Sequence, residues 1–83
     1  MYRIIFQKPA ELFFRRLDKK EQEIISKKIV NLSDNPQLGK PLIGKLAGLW
    51  SLRIGKYRAI YQIRRNELII LILKIGHRKN IYS

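Results

Sequence analysis

The fold is indicated most clearly by residues 50–64, WSLRIGKYRAIYQIR, which predict a β-hairpin. Gly55 and Lys56 separate two runs rich in β-branched and aromatic residues, and glycine suits the first central position of a type II′ hairpin turn. A two-residue turn places Arg53 directly opposite Arg58. Because side chains alternate between faces along a strand, the hairpin is predicted to have one apolar face and one face with paired arginines.

A third strand is predicted over residues 67–75, after a second two-residue turn at residues 65–66. The resulting register pairs residues across that turn: Arg64 with Glu67, and Arg58 with Leu73. One face of the three strands collects the predicted core: Trp50, Leu52, Ile54, Tyr57, Ala59, Tyr61, Ile63, Leu68, Ile70 and Ile72.

The preceding residues predict a strand over 2–7, a short helix over 9–17 and a longer helix over 19–32. Asp18, three residues before a glutamate, is the expected N-cap of the longer helix. Residues 35–47 are expected to form a loop. The order β-α-α-β-β-β predicts an α+β fold in which a helical hairpin packs on one face of a mainly antiparallel sheet.

Composition narrows the possible functions of this 83-residue chain, which is expected to form a single domain over residues 1–83. The absence of cysteine excludes disulfide scaffolds and thiolate chemistry. The 18 Lys and Arg against 6 Asp and Glu give a formal charge of +12, which indicates a polyanionic partner. The apolar run at residues 68–73 is far below the ~20 residues of a spanning helix, so we expect a cytoplasmic protein without membrane attachment.

Like charges directly opposite in a sheet are unfavourable, so the Arg53 and Arg58 pair suggests an anion between them. The alternative is two solvated arginines that splay apart. The third strand runs back toward the first turn, where we expect Lys56, Arg78 and Lys79 to join the pair. With one histidine, no cysteine and sparse acids, paired-histidine catalysis is excluded, and no metal or cofactor site is expected. The remaining arginine, lysine and tyrosine side chains suit RNA cleavage by its own 2′-OH, with arginines stabilising the phosphorane and a tyrosine or lysine of lowered pKa transferring protons.

Three motifs together resemble the RelE/ParE superfamily of toxins. They are W-x-[LI]-R-x-G-x-Y-R…Y at residues 50–61, G-H-R-x-x-x-Y at residues 76–82 and K-P-L-x-x-x-L at residues 40–46. The resemblance covers essentially the whole chain. It implies a toxin of a type II toxin–antitoxin pair, in which RelE-type members cleave mRNA in the ribosomal A site and ParE-type members poison DNA gyrase.

Matched by motif, Arg58 and Arg78 are implied to contact the scissile phosphate, Tyr82 to stack on a base and assist proton transfer, and Arg53 to occupy a basic position of the preceding strand. Further RNA contacts are assigned to four side chains: Lys45, Lys56, His77 and Lys79. The expected partners are the ribosome, mRNA and an acidic, RelB-like antitoxin in a heteromeric complex. The alternatives are a ParE-like gyrase inhibitor without nuclease activity and a toxin that binds its target without cleaving.

Overall fold

The computed structural model describes residues 1–81, and residues 82 and 83 lie outside the described part of the chain. The helices and strands of residues 1–81 are, in order, β1 (Arg3–Phe6), α1 (Lys8–Arg15), α2 (Lys19–Val30), β2 (Lys40–Pro41), β3 (Trp50–Ile54), β4 (Tyr57–Arg64) and β5 (Ile69–His77). The expected element order is confirmed with one addition, because the two-residue strand β2 lies within the predicted loop.

Local sequence accounts for where the helices begin and end. The Asp18 carboxylate accepts a hydrogen bond of 2.9 Å from the Glu21 N–H, so the predicted N-cap of α2 is confirmed. At its other end α2 tightens into a 3₁₀ turn over Asn31–Ser33, which makes the α-helix two residues shorter than predicted. The predicted core positions of this segment are buried: Ile25, Ile29 and Leu32.

The sheet has the strand order β1-β5-β4-β3-β2. The pairs β2–β3, β3–β4 and β4–β5 are antiparallel, and β1 pairs with β5 in parallel. The two helices connect β1 to the later strands and cover one face of the sheet, as expected. The predicted helical hairpin on a mainly antiparallel sheet is therefore confirmed.

The two hairpins differ in how well their registers follow from the sequence. In the first, Arg53 pairs with Arg58 as predicted. In the second, the predicted two-residue turn is wrong, because Arg64 pairs with Ile69 and the turn occupies residues 65–68. A two-residue turn needs positive φ at one or both central residues, and residues 65–66 contain no glycine. The longer turn instead places Leu68 at φ 54°.

A β-bulge in β5 changes the register a second time. Tyr61 pairs with Ile72 and Ile60 pairs with Lys74, so Leu73 is an extra residue on β5. Arg58 consequently lies opposite Gly76 rather than Leu73, which corrects the predicted pairing. The bulge also reverses the alternation of side chains, so Ile75 joins the core.

The core lies between the helices and the inner face of the sheet. Most of the predicted inner-face residues are buried there, with Trp50 and Ile63 partly buried at its margin. Leu68 is the exception at 51% exposure, since it belongs to the turn and not to β5. Part of the outer face of the sheet is covered by the chain that follows β5. A Cβ added at Gly76 would lie 3.0 Å from Ile81, which shows that the chain after β5 folds back over this face.

Candidate functional site

The β3–β4 hairpin holds its two arginines side by side at the end of the outer face. Arg53 is exposed and Arg58 is half-buried. The Arg58 Nη1 donates a hydrogen bond of 3.0 Å to the Ser51 hydroxyl, and its buried Nε has no hydrogen-bond partner among the described residues. The serine therefore fixes the orientation of the half-buried Arg58 guanidinium. Sequence reasoning paired the arginines correctly but gave Ser51 no role.

A groove of about 580 Å³ opens beside the hairpin turn, and we call it the turn groove. Arg53 and Lys56 line it from the hairpin, and His77, Arg78 and Lys79 line it from the end of β5. Five of the eight sequence-predicted site residues thus meet in one depression. The convergence depends on β5 running antiparallel to β4, which brings its end back to the β3–β4 turn.

Backbone hydrogen bonds hold the end of β5 against that turn. The Arg78 N–H donates to the Lys56 carbonyl at 3.0 Å, and the Arg78 Nη1 reaches the Gly55 carbonyl at 3.4 Å. Gly55 has φ 59°, a left-handed conformation that glycine adopts without steric cost. The tight turn therefore leaves its carbonyl groups free to anchor Arg78 beside Arg53.

The Lys56 side chain forms an ion pair with the helical layer. Its ammonium lies 3.5 Å from the Glu21 carboxylate and 5.5 Å from the centre of the Tyr57 ring. The Tyr57 phenol group and the Glu21 carboxylate both raise the pKa of Lys56 above its ordinary value. Lys56 is therefore a cation at neutral pH and is not a lysine of lowered pKa that could accept the 2′-OH proton.

His77 occupies the helix side of the turn groove. Its ring lies 5.2 Å from that of Tyr57 and 6.0 Å, edge-on, from that of Phe13, between ring centres. These contacts orient the imidazole while leaving it exposed. The bulge in β5 is responsible, because it turns His77 toward the helices and away from Arg58.

A second groove, of about 480 Å³, lies along the edge of β3, and we call it the edge groove. Arg53 and Arg58 line it from the hairpin, Lys28 from α2 and Lys40 from β2. Arg53 lines both grooves, which makes them neighbours. Sequence reasoning missed Lys28 and Lys40 as site residues, since only tertiary packing brings α2 and β2 to this edge.

Lys45 and Tyr82 are the predicted site residues that remain. Lys45 belongs to the 3₁₀ turn Gly44–Leu46 and lines neither groove. Tyr82 lies outside the described residues. Within residues 1–81 there is no group of three or more histidine or acidic side chains placed to hold a metal ion. The same residues contain no helix long and apolar enough to cross a membrane.

Comparison with known proteins identifies the family. Residues 4–82 match the model of the ParE toxin of type II toxin–antitoxin systems. The chain belongs to the RelE/ParE superfamily of toxins. It is 43% identical to the toxin RelG of Mycobacterium tuberculosis over 53 residues, which are 63% of this chain and 61% of RelG. It is 28% identical to a putative RelE-like toxin of Escherichia coli over 94% of this chain and 84% of that protein.

A solved structure supports the same membership. The RelBE2 toxin–antitoxin complex of Mycobacterium tuberculosis contains a chain that superposes with a TM-score of 0.85 and 32% sequence identity, covering 93% of this chain and 98% of that one. Residues 4–82, which match the family model, include the β3–β4 hairpin and the end of β5, the two segments that carry the arginines. Our chain is accordingly a type II toxin of the RelE/ParE superfamily.

Proposed function

We propose that this toxin is a metal-independent endoribonuclease that cleaves mRNA on the ribosome and so inhibits translation. The observation that carries the proposal is the arginine cluster at the junction of the two grooves: Arg78 lines the turn groove, Arg58 lines the edge groove, and Arg53 lines both. Guanidinium groups bind phosphate through paired N–H donors, and fixed cations stabilise a transition state that gains negative charge. The RelE-like names of the relatives support this branch of the superfamily.

In the proposed reaction the 2′-OH of the substrate attacks the adjacent phosphorus, and the bond to the 5′-oxygen of the next nucleotide breaks. The products are a 2′,3′-cyclic phosphate and a free 5′-OH. Arg58, held by Ser51, and Arg78, held by the turn carbonyls, stabilise the phosphorane. Arg53 neutralises the neighbouring phosphate charge. Tyr82 is the proposed stacking and proton-transfer residue at the end of the chain.

We also propose an acidic, RelB-like antitoxin as the partner in a heteromeric complex. The chain carries a formal charge of +12, and the similar RelBE2 structure is a toxin–antitoxin complex. Carboxylates of such a partner would neutralise the arginine cluster and exclude RNA from it. An acidic protein encoded beside this chain should therefore co-purify with it and suppress its activity.

A gyrase inhibitor is the second candidate function, because the matching family model describes ParE toxins. The two functions predict different substrates for the same chain. Primer extension on mRNA from ribosomes incubated with the purified toxin should reveal cuts within codons at the A site. Inhibited supercoiling by gyrase with intact mRNA would instead assign the chain to the ParE branch and overturn the nuclease proposal.

A further inference from the structure

We propose that the edge groove is a second RNA subsite, in which Lys28 and Lys40 bind phosphates of the substrate strand away from the bond that is cut. The inference rests on the proposed function and deepens it. No aspartate or glutamate lines either groove within residues 1–81. Because Arg53 lines both grooves, they form one continuous cationic surface. Because Arg58 lines the edge groove and Arg78 the turn groove, a scissile phosphate between them lies where the grooves meet, and a single strand can continue along the edge groove toward Lys28 and Lys40.

The edge groove exists because β2 covers only part of β3. The two strands pair at Trp50 and Ser51 alone, so within residues 1–81 no strand pairs with this edge of β3 beyond Ser51. Lys40 pairs with Ser51 and therefore shares the outer face with Arg58, which donates to the same serine. Lys28 approaches the opposite side of this edge from α2. Cations thus line both sides of the uncovered edge.

The wall that carries Lys40 is held rigidly. The buried Tyr61 hydroxyl donates to the Pro36 carbonyl at 2.7 Å and accepts from the Gly39 N–H at 3.0 Å. A Cβ added at Gly39 would collide with the Ser51 carbonyl and lie 2.8 Å from that hydroxyl, so the backbone approaches β3 as closely as glycine allows. A preformed position for Lys40 reduces the ordering cost of binding a phosphate there.

The charge of the edge groove favours nucleic acid over an acidic protein segment. Four of its nine lining residues carry long cationic side chains, and its large apolar side chains are Leu38 and Leu52. Phosphate binding by lysine needs only a point charge, whereas a docked peptide draws much of its affinity from apolar anchors. Lys28 and Lys40 are both exposed and make no ion pair that would occupy them among the described residues.

The test compares the double variant Lys28→Ala/Lys40→Ala with Lys20→Ala/Lys27→Ala, whose lysines lie on α2 and line neither groove. The probe is a 2′-O-methyl oligouridine, which cannot be cleaved because it lacks the attacking hydroxyl. Binding is measured as a function of salt concentration. Two lost phosphate contacts should reduce the slope of log K against log salt by about 1.4, and the control pair should leave the slope unchanged.

Equal slopes for the two double variants would overturn the subsite. An unchanged oligonucleotide slope with weaker binding of a polyglutamate peptide would also overturn it and assign the groove to an acidic protein. Because the probe is not cleaved, the result is independent of the nuclease assay. A chain that leaves ribosomal mRNA intact yet shows the slope change would refute the proposed nuclease while retaining the subsite.

Discussion

Arg58 differs from the other cations of the site in being half-buried and held by a side chain. Its Nη1 donates to Ser51, which is itself 3% exposed, and its partner across the hairpin is another arginine. A planar guanidinium can keep this serine contact while presenting further N–H groups to a phosphate, whereas a lysine ammonium is a single point charge. The geometry at this residue therefore depends on arginine and not merely on positive charge.

Arg58→Ala and Arg78→Ala should each reduce the rate of mRNA cleavage on ribosomes by roughly 10²–10³, since each removes a donor that stabilises the phosphorane. Arg58→Lys should also be strongly impaired because it loses the forked donor geometry. Single-turnover cleavage measures the effect. Arg64→Ala is the matched control on the same strand, since Arg64 lies at the far end of β4 beside Glu67. A folded Arg78→Ala variant with near-normal cleavage would disprove the proposed active site.

At the scale of elements, the decisive contact joins β4 to the loop before β2. Tyr61 is fully buried, and its ring stacks on that of Trp50 with 6.2 Å between the ring centres. Its hydroxyl donates a hydrogen bond to the Pro36 carbonyl and accepts one from the Gly39 N–H. The loop between α2 and β2 is thereby tied to the centre of the sheet. The tyrosine of the hairpin motif consequently has a structural role, because it holds the wall of the edge groove from within the core.

Tyr61→Phe should lower the free energy of unfolding by about 1–3 kcal/mol at neutral pH, because it leaves the Gly39 N–H and the Pro36 carbonyl without their partner. Burial raises the pKa of the Tyr61 phenol above its ordinary value, an effect that the hydrogen bond from Gly39 opposes. The unfolded chain therefore loses this proton first, and the stability that Tyr61 provides decreases as the pH rises above about 10.

The difference in stability between wild type and Tyr61→Phe should accordingly narrow above that pH. Denaturant unfolding of both proteins across the alkaline range measures the difference directly, and each protein serves as the reference for the other. A difference that stays constant through this range would show that Tyr61 titrates alike in the folded and unfolded chain.

On the scale of the whole molecule, charge dominates. The net charge of +12 is unevenly distributed, with ten basic and one acidic side chain in residues 40–83 against eight and five in residues 1–39. Among residues 1–81 the ion pairs are Lys56 with Glu21 and Arg64 with Glu67, and both are exposed or partly exposed. Exposed pairs contribute little stability, so repulsion among the remaining cations acts against the folded state.

Raising the NaCl concentration from about 0.05 to about 0.5 M should increase the thermal midpoint by several degrees, because salt screens this repulsion. Circular dichroism measures the midpoint. At matched ionic strength, phosphate should stabilise the toxin more than chloride, since it can also occupy the arginine cluster. Arg58→Ala should reduce the advantage of phosphate. A midpoint that falls with added NaCl would contradict the repulsion argument.

The local pattern of the sequence determined much of this protein. Alternation of apolar and polar residues and a glycine turn were sufficient for the first hairpin, its Arg53 and Arg58 pair and the inner face of the sheet. Capping chemistry located the start of α2. These features follow from interactions between residues close in the chain, which is why they could be predicted. The superfamily could be predicted because its three motifs are also short and local.

Features that depend on distant segments of the chain follow from the packing of the whole fold and not from local sequence. The four-residue second turn and the bulge at Leu73 shift β5, so that Arg58 faces Gly76 and His77 turns toward Phe13. A bulge has little sequence signature, because packing against both faces selects it. Lys28 and Lys40 likewise reach the edge groove only through the packing of α2 and β2 on β3, since periodicity assigns a residue to a face of its own element but not to a neighbour in space.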